Sequence, residues 1–427
     1  MSRSRRVFLP LTLVLSYCSA VTLAGDWPTW RGEHRDDVSV ESGLLTQWPE
    51  GGPTKVWTFQ QAGIGYSSFA VVDDQLFTLG ADETTEYLIT VDTMAGKEQW
   101  RTPLGRRLKN KWGDGPRSTP AVSGDRVVAL GAEGRVVCCS IADGGVHWER
   151  ELTHLGGEVP NWGYSESPLI DQGRVLVTPG GDDGAIAALN LESGEVVWQS
   201  WDVAQPAHYS SIIVAEHNDK RQYIQLGSRS LFGISAEDGE LLWETKWPGK
   251  VAVVPTPIFY DGKVYVSSGY GVGSMMVSIG PGNKVIEVFR NKVMKNHHGG
   301  IIRIDEHVYG YSDGRGWICQ DMRTGDMVWN EKRVLGKGAI SCADGLFYCL
   351  EESSGTCLLV NATPDGWEER GRLTIEPQTE QRSPSGRIWS HPVIANGRLY
   401  LRDQEIICCY DISASRQTQA VTDSRTR

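Results

Sequence analysis

Leu189-Asn190-Leu191-Glu192-Ser193-Gly194-Glu195-Val196-Val197-Trp198 and Asp321-Met322-Arg323-Thr324-Gly325-Asp326-Met327-Val328-Trp329 are the two stretches that decide the fold. In each, a glycine stands four residues before a tryptophan. The same pairing recurs at Gly96/Trp100, Gly144/Trp148 and Gly239/Trp243. Successive tryptophans are 43 to 50 residues apart, counting the gap from Trp243 to Trp329 as two periods. A period of that size outranks any local motif and signals a repeat architecture. The glycine suits a tight turn that needs φ > 0, and the alternating apolar run after it ends in a large aromatic anchor. This is the pattern of a β-propeller blade.

Inner strands are marked by a small polar residue, often followed by proline, and then an apolar strand and an X-Gly turn. Ser118-Thr119-Pro120-Ala121-Val122 with Gly124, Ser167-Pro168-Leu169-Ile170 with Gly173, Thr256-Pro257-Ile258 with Gly262, and His391-Pro392-Val393-Ile394 with Gly397 are clear copies. Such turns between alternating apolar runs are strong hairpin signals. Weaker copies near Ser67, Ser210, Gly299 and Gly338 bring the inner strands to eight. Outer-strand aromatics follow at Trp100, Trp148, Trp198, Trp243, Phe289, Trp329 and Trp367, one fewer than the blades require. Trp57, in Lys55-Val56-Trp57-Thr58-Phe59, supplies the missing one from ahead of the first blade. The expectation is an all-β, eight-bladed propeller of four-stranded antiparallel blades over 53–412, its last blade closed by the N-terminal strand. Closure removes a sheet edge that would invite aggregation.

The ends fall outside the period. Ser4-Arg5-Arg6-Val7-Phe8-Leu9 opens a short apolar stretch that runs into small residues up to Ala24, which reads as a cleaved export leader over 1–24. The arginine pair is similar to a twin-arginine signal. Residues 25–52, with Trp27, Trp30 and Trp48 among glycines and prolines, read as an irregular strap, and polar 413–427 as a disordered tail. No later run is apolar for long enough to span a bilayer. The expected location is exported, periplasmic or extracellular, and the expected state a monomer.

The chain carries a net charge of −11. Losing the leader's three arginines takes this to −14, which argues against nucleic acid as a partner. Eight cysteines lie beyond the leader, with no Cys-x-x-Cys-His for covalent haem and no Cys-x-x-Cys pair. Most sit in apolar strand runs and read as core packing.

The Gly-x-x-x-Trp segments quoted above resemble the repeat of pyrroloquinoline-quinone (PQQ) dehydrogenases, whose tryptophans pack between blades. The resemblance spans 53–412. The same repeat builds the non-catalytic barrel-assembly lipoprotein BamB, and Asp26-Trp27-Pro28-Thr29-Trp30-Arg31-Gly32 looks like the start of exported bacterial PQQ-like propellers. For a dehydrogenase the resemblance implies PQQ, with calcium on carboxylate and amide oxygens and an aspartate base. Glu166 and Asn161 are candidate oxygen donors, and Asp313 or Asp114 candidate bases, but no spacing singles them out. Cys138-Cys139 invites comparison with the adjacent-cysteine disulfide over the quinone. Here, however, the pair falls inside a strand, where neighbours face opposite ways.

Loops entering the inner strands converge at one mouth of a propeller channel. Reading those positions gives Arg117, Tyr164, Glu166, His208, Tyr209, His297, His298, Lys337, Trp389 and His391 as a candidate ligand site, with Tyr66 and Thr256 beside them. Channel mouths are also wet and polar in their own right. His297-His298 is the sharpest local feature, but adjacent residues of an extended segment point to opposite sides, so no metal site is expected from it. The function expected from these residues is a non-catalytic binding or scaffold module for a protein, peptide or glycan. The alternative is a PQQ- and calcium-dependent dehydrogenase of an alcohol or sugar.

Overall fold

The structure, a computed structural model, describes residues 25–416. The expected leader and residues 417–427 of the expected tail lie outside these. Eight sheets, antiparallel throughout the wall, form an eight-bladed propeller. Blades 1 to 7 take their strands from residues 70–106, 121–151, 169–199, 213–246, 258–291, 302–331 and 338–374. Blade 8 combines 393–411 with Thr54–Phe59, which pairs antiparallel to Ile406–Asp411 and places Trp57 opposite Cys409. The ring is closed by its N-terminal strand.

The tryptophan-glycine period has a packing reason. A Cβ on Gly96 would lie 2.5 Å from the Trp57 ring of blade 8, one on Gly144 2.5 Å from Trp100, and one on Gly194 2.6 Å from Trp148. Each glycine therefore turns its own blade, with Gly194 at φ +68°, and also leaves room for the previous blade's indole. The indoles also bond across the seams. Trp57 Nε1 donates to the Thr93 carbonyl at 2.7 Å, Trp100 to Ile141 at 3.0 Å and Trp148 to Leu191 at 2.7 Å. The final seam carries a further tie in Arg402, which is 1% exposed. Its guanidinium donates to the carbonyls of Ser67, Leu79 and Gly63 and to Thr78 Oγ1, and burial pulls its pKa down to about 9.

Regular inner strands begin at Ala70, Ala121, Leu169, Ile213, Ile258, Ile302, Gly338 and Val393, two or three residues beyond most of the expected starts. The Ser/Thr-Pro residues ahead of them form a hydroxyl relay between blades instead. Ser68 N–H donates to Thr119 Oγ1, Thr119 N–H to Ser167 Oγ and Ser167 N–H to Ser211 Oγ, at 2.9 to 3.1 Å. The cysteine doublets straddle strands as expected. Cys138 packs between blades 2 and 3 and Cys139 between blades 1 and 2, while Cys408 and Cys409 divide in the same way around blade 8. All eight described cysteines are free and buried.

The strap fills the central channel. Trp27 pairs with Val71 of blade 1, Val122 of blade 2 donates to the Pro28 carbonyl, and Val38–Ser39 adds a parallel fifth strand inside blade 7. Arg31 reaches the Ile301 carbonyl at blade 6, and Arg35 the Ser167 and Pro168 carbonyls at blade 3. Both ends of the strap lie beside turns joining first to second strands. Asp26 bonds Asp73 at blade 1, Glu41 bonds Gly397 at blade 8 and Leu44 bonds Asp344 at blade 7. The strap thus enters from the face opposite the candidate mouth, turns near Trp30 and returns. Residues 413–416 continue past the last blade as a bridge to Leu44 and a helical turn. No described helix is long and apolar enough to cross a membrane.

Candidate functional site

The strap turns because its charges are paired inside the channel. Arg31 Nε donates to Asp37 Oδ2 at 2.6 Å, and His391 Nδ1 lies 3.0 Å from the same oxygen. Burial alone would raise the Asp37 carboxyl, but Arg31 and His391 outweigh it and hold it below the ordinary carboxylate range. Trp30, at the turn, donates from Nε1 to Thr256 Oγ1 at 3.2 Å and packs 4.5 Å from the His391 ring. Its indole helps to floor a pocket of about 440 Å³ at the mouth.

The wall of that pocket is a run of rings. Trp162 packs 5.4 Å from Tyr209, Tyr209 6.2 Å from His298, His298 stacks on Trp389 at 4.8 Å, and Trp389 packs 4.9 Å from Tyr66. The Arg117 guanidinium sits 5.5 Å from the Tyr66 ring centre and donates to the Gly113 and Gly115 carbonyls. Lys337 Nζ lies 2.6 Å from His297 Nδ1 and 3.0 Å from Asp313 Oδ1. Lysine only donates, so His297 Nδ1 accepts and its hydrogen is on Nε2. Trp389 Nε1 donates to Glu352 Oε2 at 3.2 Å. Burial, reinforced by the Lys337 charge, pulls the His297 pKa down to about 4, and burial lowers His298 well below the usual histidine range. Both are neutral rings at ordinary pH. Burial raises the Glu352 carboxyl, against the pull of Lys337.

Six of the ten expected residues line this pocket: Arg117, Tyr209, His297, His298, Lys337 and Trp389. The other four do not. Tyr164 is 1% exposed and donates to the Pro179 carbonyl. Glu166 is buried beneath the mouth, accepting from Thr178 N–H and, at 2.5 Å, from Thr178 Oγ1; burial raises its pKa to about 7 despite these bonds. His208 packs 5.3 Å from Trp162 and accepts from Val253 N–H, with its pKa pulled down to about 4 by burial. His391 belongs to the strap's anchor. A second expectation is corrected at His297-His298. The chain bends there rather than running extended, so both rings face the same pocket with centres 4.4 Å apart.

Sequence reading missed Trp30, Trp112, Trp162, Tyr270, Glu352 and Arg387 in the lining. Trp112-Gly113 and Trp162-Gly163 carried a signal. Each is a Trp-Gly pair just ahead of a Ser-Pro or Ser-Thr-Pro start, out of phase with the outer-strand tryptophans. Tyr270 and Glu352 come from loops between second and third strands, which follow no shared residue pattern.

A closed propeller with a plugged channel and an aromatic mouth is a fold on which either chemistry or recognition can be built. The sequence profile of the family described as outer membrane protein assembly factor BamB matches residues 54–331, and the chain belongs to this PQQ-like β-propeller family. Among solved structures, BamB from Moraxella catarrhalis superposes with a TM-score of 0.60 at 14% identity, over 84% of this chain and 99% of that one. The quinohemoprotein alcohol dehydrogenase of Comamonas testosteroni gives 0.62 at 10% identity, over 91% and 80%. Sqt1 of Saccharomyces cerevisiae gives 0.58 at 11%, over 84% and 99%. Identities this low speak for the fold alone. No curated protein sequence matches the chain.

The pocket residues do not fit the quinone-calcium pair of the dehydrogenases. Calcium takes six to eight oxygen ligands. The lining offers one carboxylate, Glu352, already bonded to Trp389, with serine hydroxyls and three cationic side chains around it. Asp313 is committed to Lys337 and Glu166 to Thr178. Asp114 accepts from Arg107 and from Asn110 N–H. Cys138 and Cys139 are buried in separate cores, and burial raises their thiols to about 12 and about 11.

Proposed function

We propose that this chain is an exported, non-catalytic binding module that grips a segment of a protein, peptide or glycan at its channel mouth. The observation that carries the reading is the continuous ring wall from Trp162 to Tyr66, in which Tyr66 and Trp389 are hydrogen-bonded within the protein while Trp162 Nε1 has no partner of its own. Flat aromatic faces with a few fixed donors suit recognition of ring-bearing or extended ligands. Catalysis asks instead for a nucleophile or base within reach of a reacting atom, and here Lys337, Glu352 and His297 hold one another or Trp389. Three cations, Arg117, Lys337 and Arg387, against Glu352 and the Asp313 paired with Lys337 leave the mouth a small local positive balance in an acidic chain, which favours ligands with carboxylate or other anionic groups. Membership of a family described by an outer-membrane assembly factor supports a protein partner and a place outside the cytoplasm.

The test is calorimetric titration of the purified protein with panels of neutral and acidic oligosaccharides and peptides, alongside PQQ with calcium. Binding of an oligosaccharide or peptide that Trp389→Ala weakens at least about tenfold, equal to 1.4 kcal/mol, supports the reading. Stoichiometric uptake of PQQ with calcium, followed by alcohol-dependent dye reduction, contradicts it and supports the dehydrogenase.

A further inference from the structure

The start of the strap and its returning limb meet at Glu41. Gly25 N–H donates to Glu41 Oε1 at 3.3 Å, and Gly397 N–H to Oε2 at 2.7 Å. Glu41 is 2% exposed, and no lysine or arginine among the described residues forms an ion pair with it. Burying a carboxylate on backbone amides alone is costly, because the charge lacks a counter-ion. Arg416 on the C-terminal turn and the buried Tyr348 and Tyr400 hydroxyls are the other ionisable groups that feel it. The cation that fits is already in place as an atom, since the Gly25 nitrogen becomes an ammonium if the chain starts there.

We propose that Ala24–Gly25 is a processing site and that the freed Gly25 ammonium pairs with Glu41, locking the strap in the channel. Water, delivered by a membrane-bound leader peptidase, supplies hydroxide to the Ala24 carbonyl and a proton to the Gly25 nitrogen. A second proton from solvent completes the ammonium. Thr22-Leu23-Ala24 ends in the small residue such peptidases accept. Residue 25 also suits the close approach, because a Cβ there would fall 2.6 Å from a Val40 methyl. With only an amide beside it, the Glu41 carboxyl is raised by burial; an ammonium reverses the balance and keeps it ionised. The pair joins the first residue of the strap to the point where the strap leaves the channel, so it acts on the plug as a whole. The plug in turn carries Trp30 to the pocket floor.

The proposal rests on the export reading, and the experiment separates the two. Four proteins are prepared by tag removal: chains starting at Gly25 or retaining Ala24, each with Glu41 or with Glu41→Gln. Hydrogen exchange of the amides at 27–41 is compared. Retaining Ala24 is expected to speed exchange about tenfold, as losing one charge-assisted bond of about 1.4 kcal/mol does. The effect is expected to vanish in the Glu41→Gln pair. The Gly25 amine, followed by NMR, should titrate above the ordinary range of about 7.7–8.0. Equal exchange with and without Ala24, or the same change in both backgrounds, overturns the ion pair. N-terminal sequencing after expression in an exporting bacterium should begin at Gly25. Export with a start elsewhere overturns the processing site alone, and retention in the cytoplasm with the leader intact overturns the export reading.

Discussion

Trp148 in the wall and Trp30 in the channel show two ways of holding an indole. Trp148 covers Gly194 of the next blade and bonds the Leu191 carbonyl, a contact repeated around the ring by Trp57 and Trp100. Trp30 has no counterpart. It hangs on one bond to Thr256 and one ring contact, at the turn of a strap anchored by buried Arg31 and Asp37. The wall derives stability from repetition, each blade burying its neighbour. The channel derives shape from single contacts, and those contacts build the pocket.

The comparison is broken most severely at the seam. Deleting residues 53–59 strips blade 8 of its outer strand and exposes the edge at Ile406–Asp411, so loss of cooperative unfolding and aggregation are expected by light scattering and calorimetry. Trp148→Ala comes next, at about 3–5 kcal/mol of stability by denaturant titration, as for other buried indoles. Asp37→Asn removes the charge shared by Arg31 and His391 and should cost about 2 kcal/mol, in the range for charged hydrogen bonds. Exchange at 27–41 should rise while the outer strands stay protected. A uniform rise across the blades would show that strap and wall unfold as one unit.

A pH-dependent effect follows from Glu166. Its folded carboxyl, raised to about 7 from the ordinary 4.5, holds its proton more tightly than in the unfolded chain. The stability this contributes is complete below the unfolded value and is lost as pH rises from about 4.5 to about 7. Glu166→Gln should therefore flatten the fall in melting temperature between pH 5 and pH 8. An unchanged slope would assign that fall to other groups.

The wall was legible because its physics is periodic. One steric demand, an indole against a glycine, is written into successive blades, and Trp57 could be assigned to closure by counting aromatics. The strap was legible only as an irregular segment. Arg31, Asp37 and His391 form one cluster in which Asp37 and His391 are 354 residues apart, and no spacing in the sequence links positions 37 and 391. The mouth lies between these cases. Residues just ahead of inner strands could be placed there, but whether a side chain reaches the pocket depends on its local turn. Thus Tyr209 lines it while neighbouring His208 turns to Val253, and Glu166 sinks to Thr178.

The most direct test is the affinity of a mouth ligand, found by the titrations above, for the Trp30→Ala protein. Trp30 belongs to the strap, so it touches the ligand only if wall and strap together form the site. A loss of about tenfold or more, with the melting temperature within a few degrees of the parent, is the predicted result. Unchanged affinity would contradict the account and move the binding site away from the plugged channel.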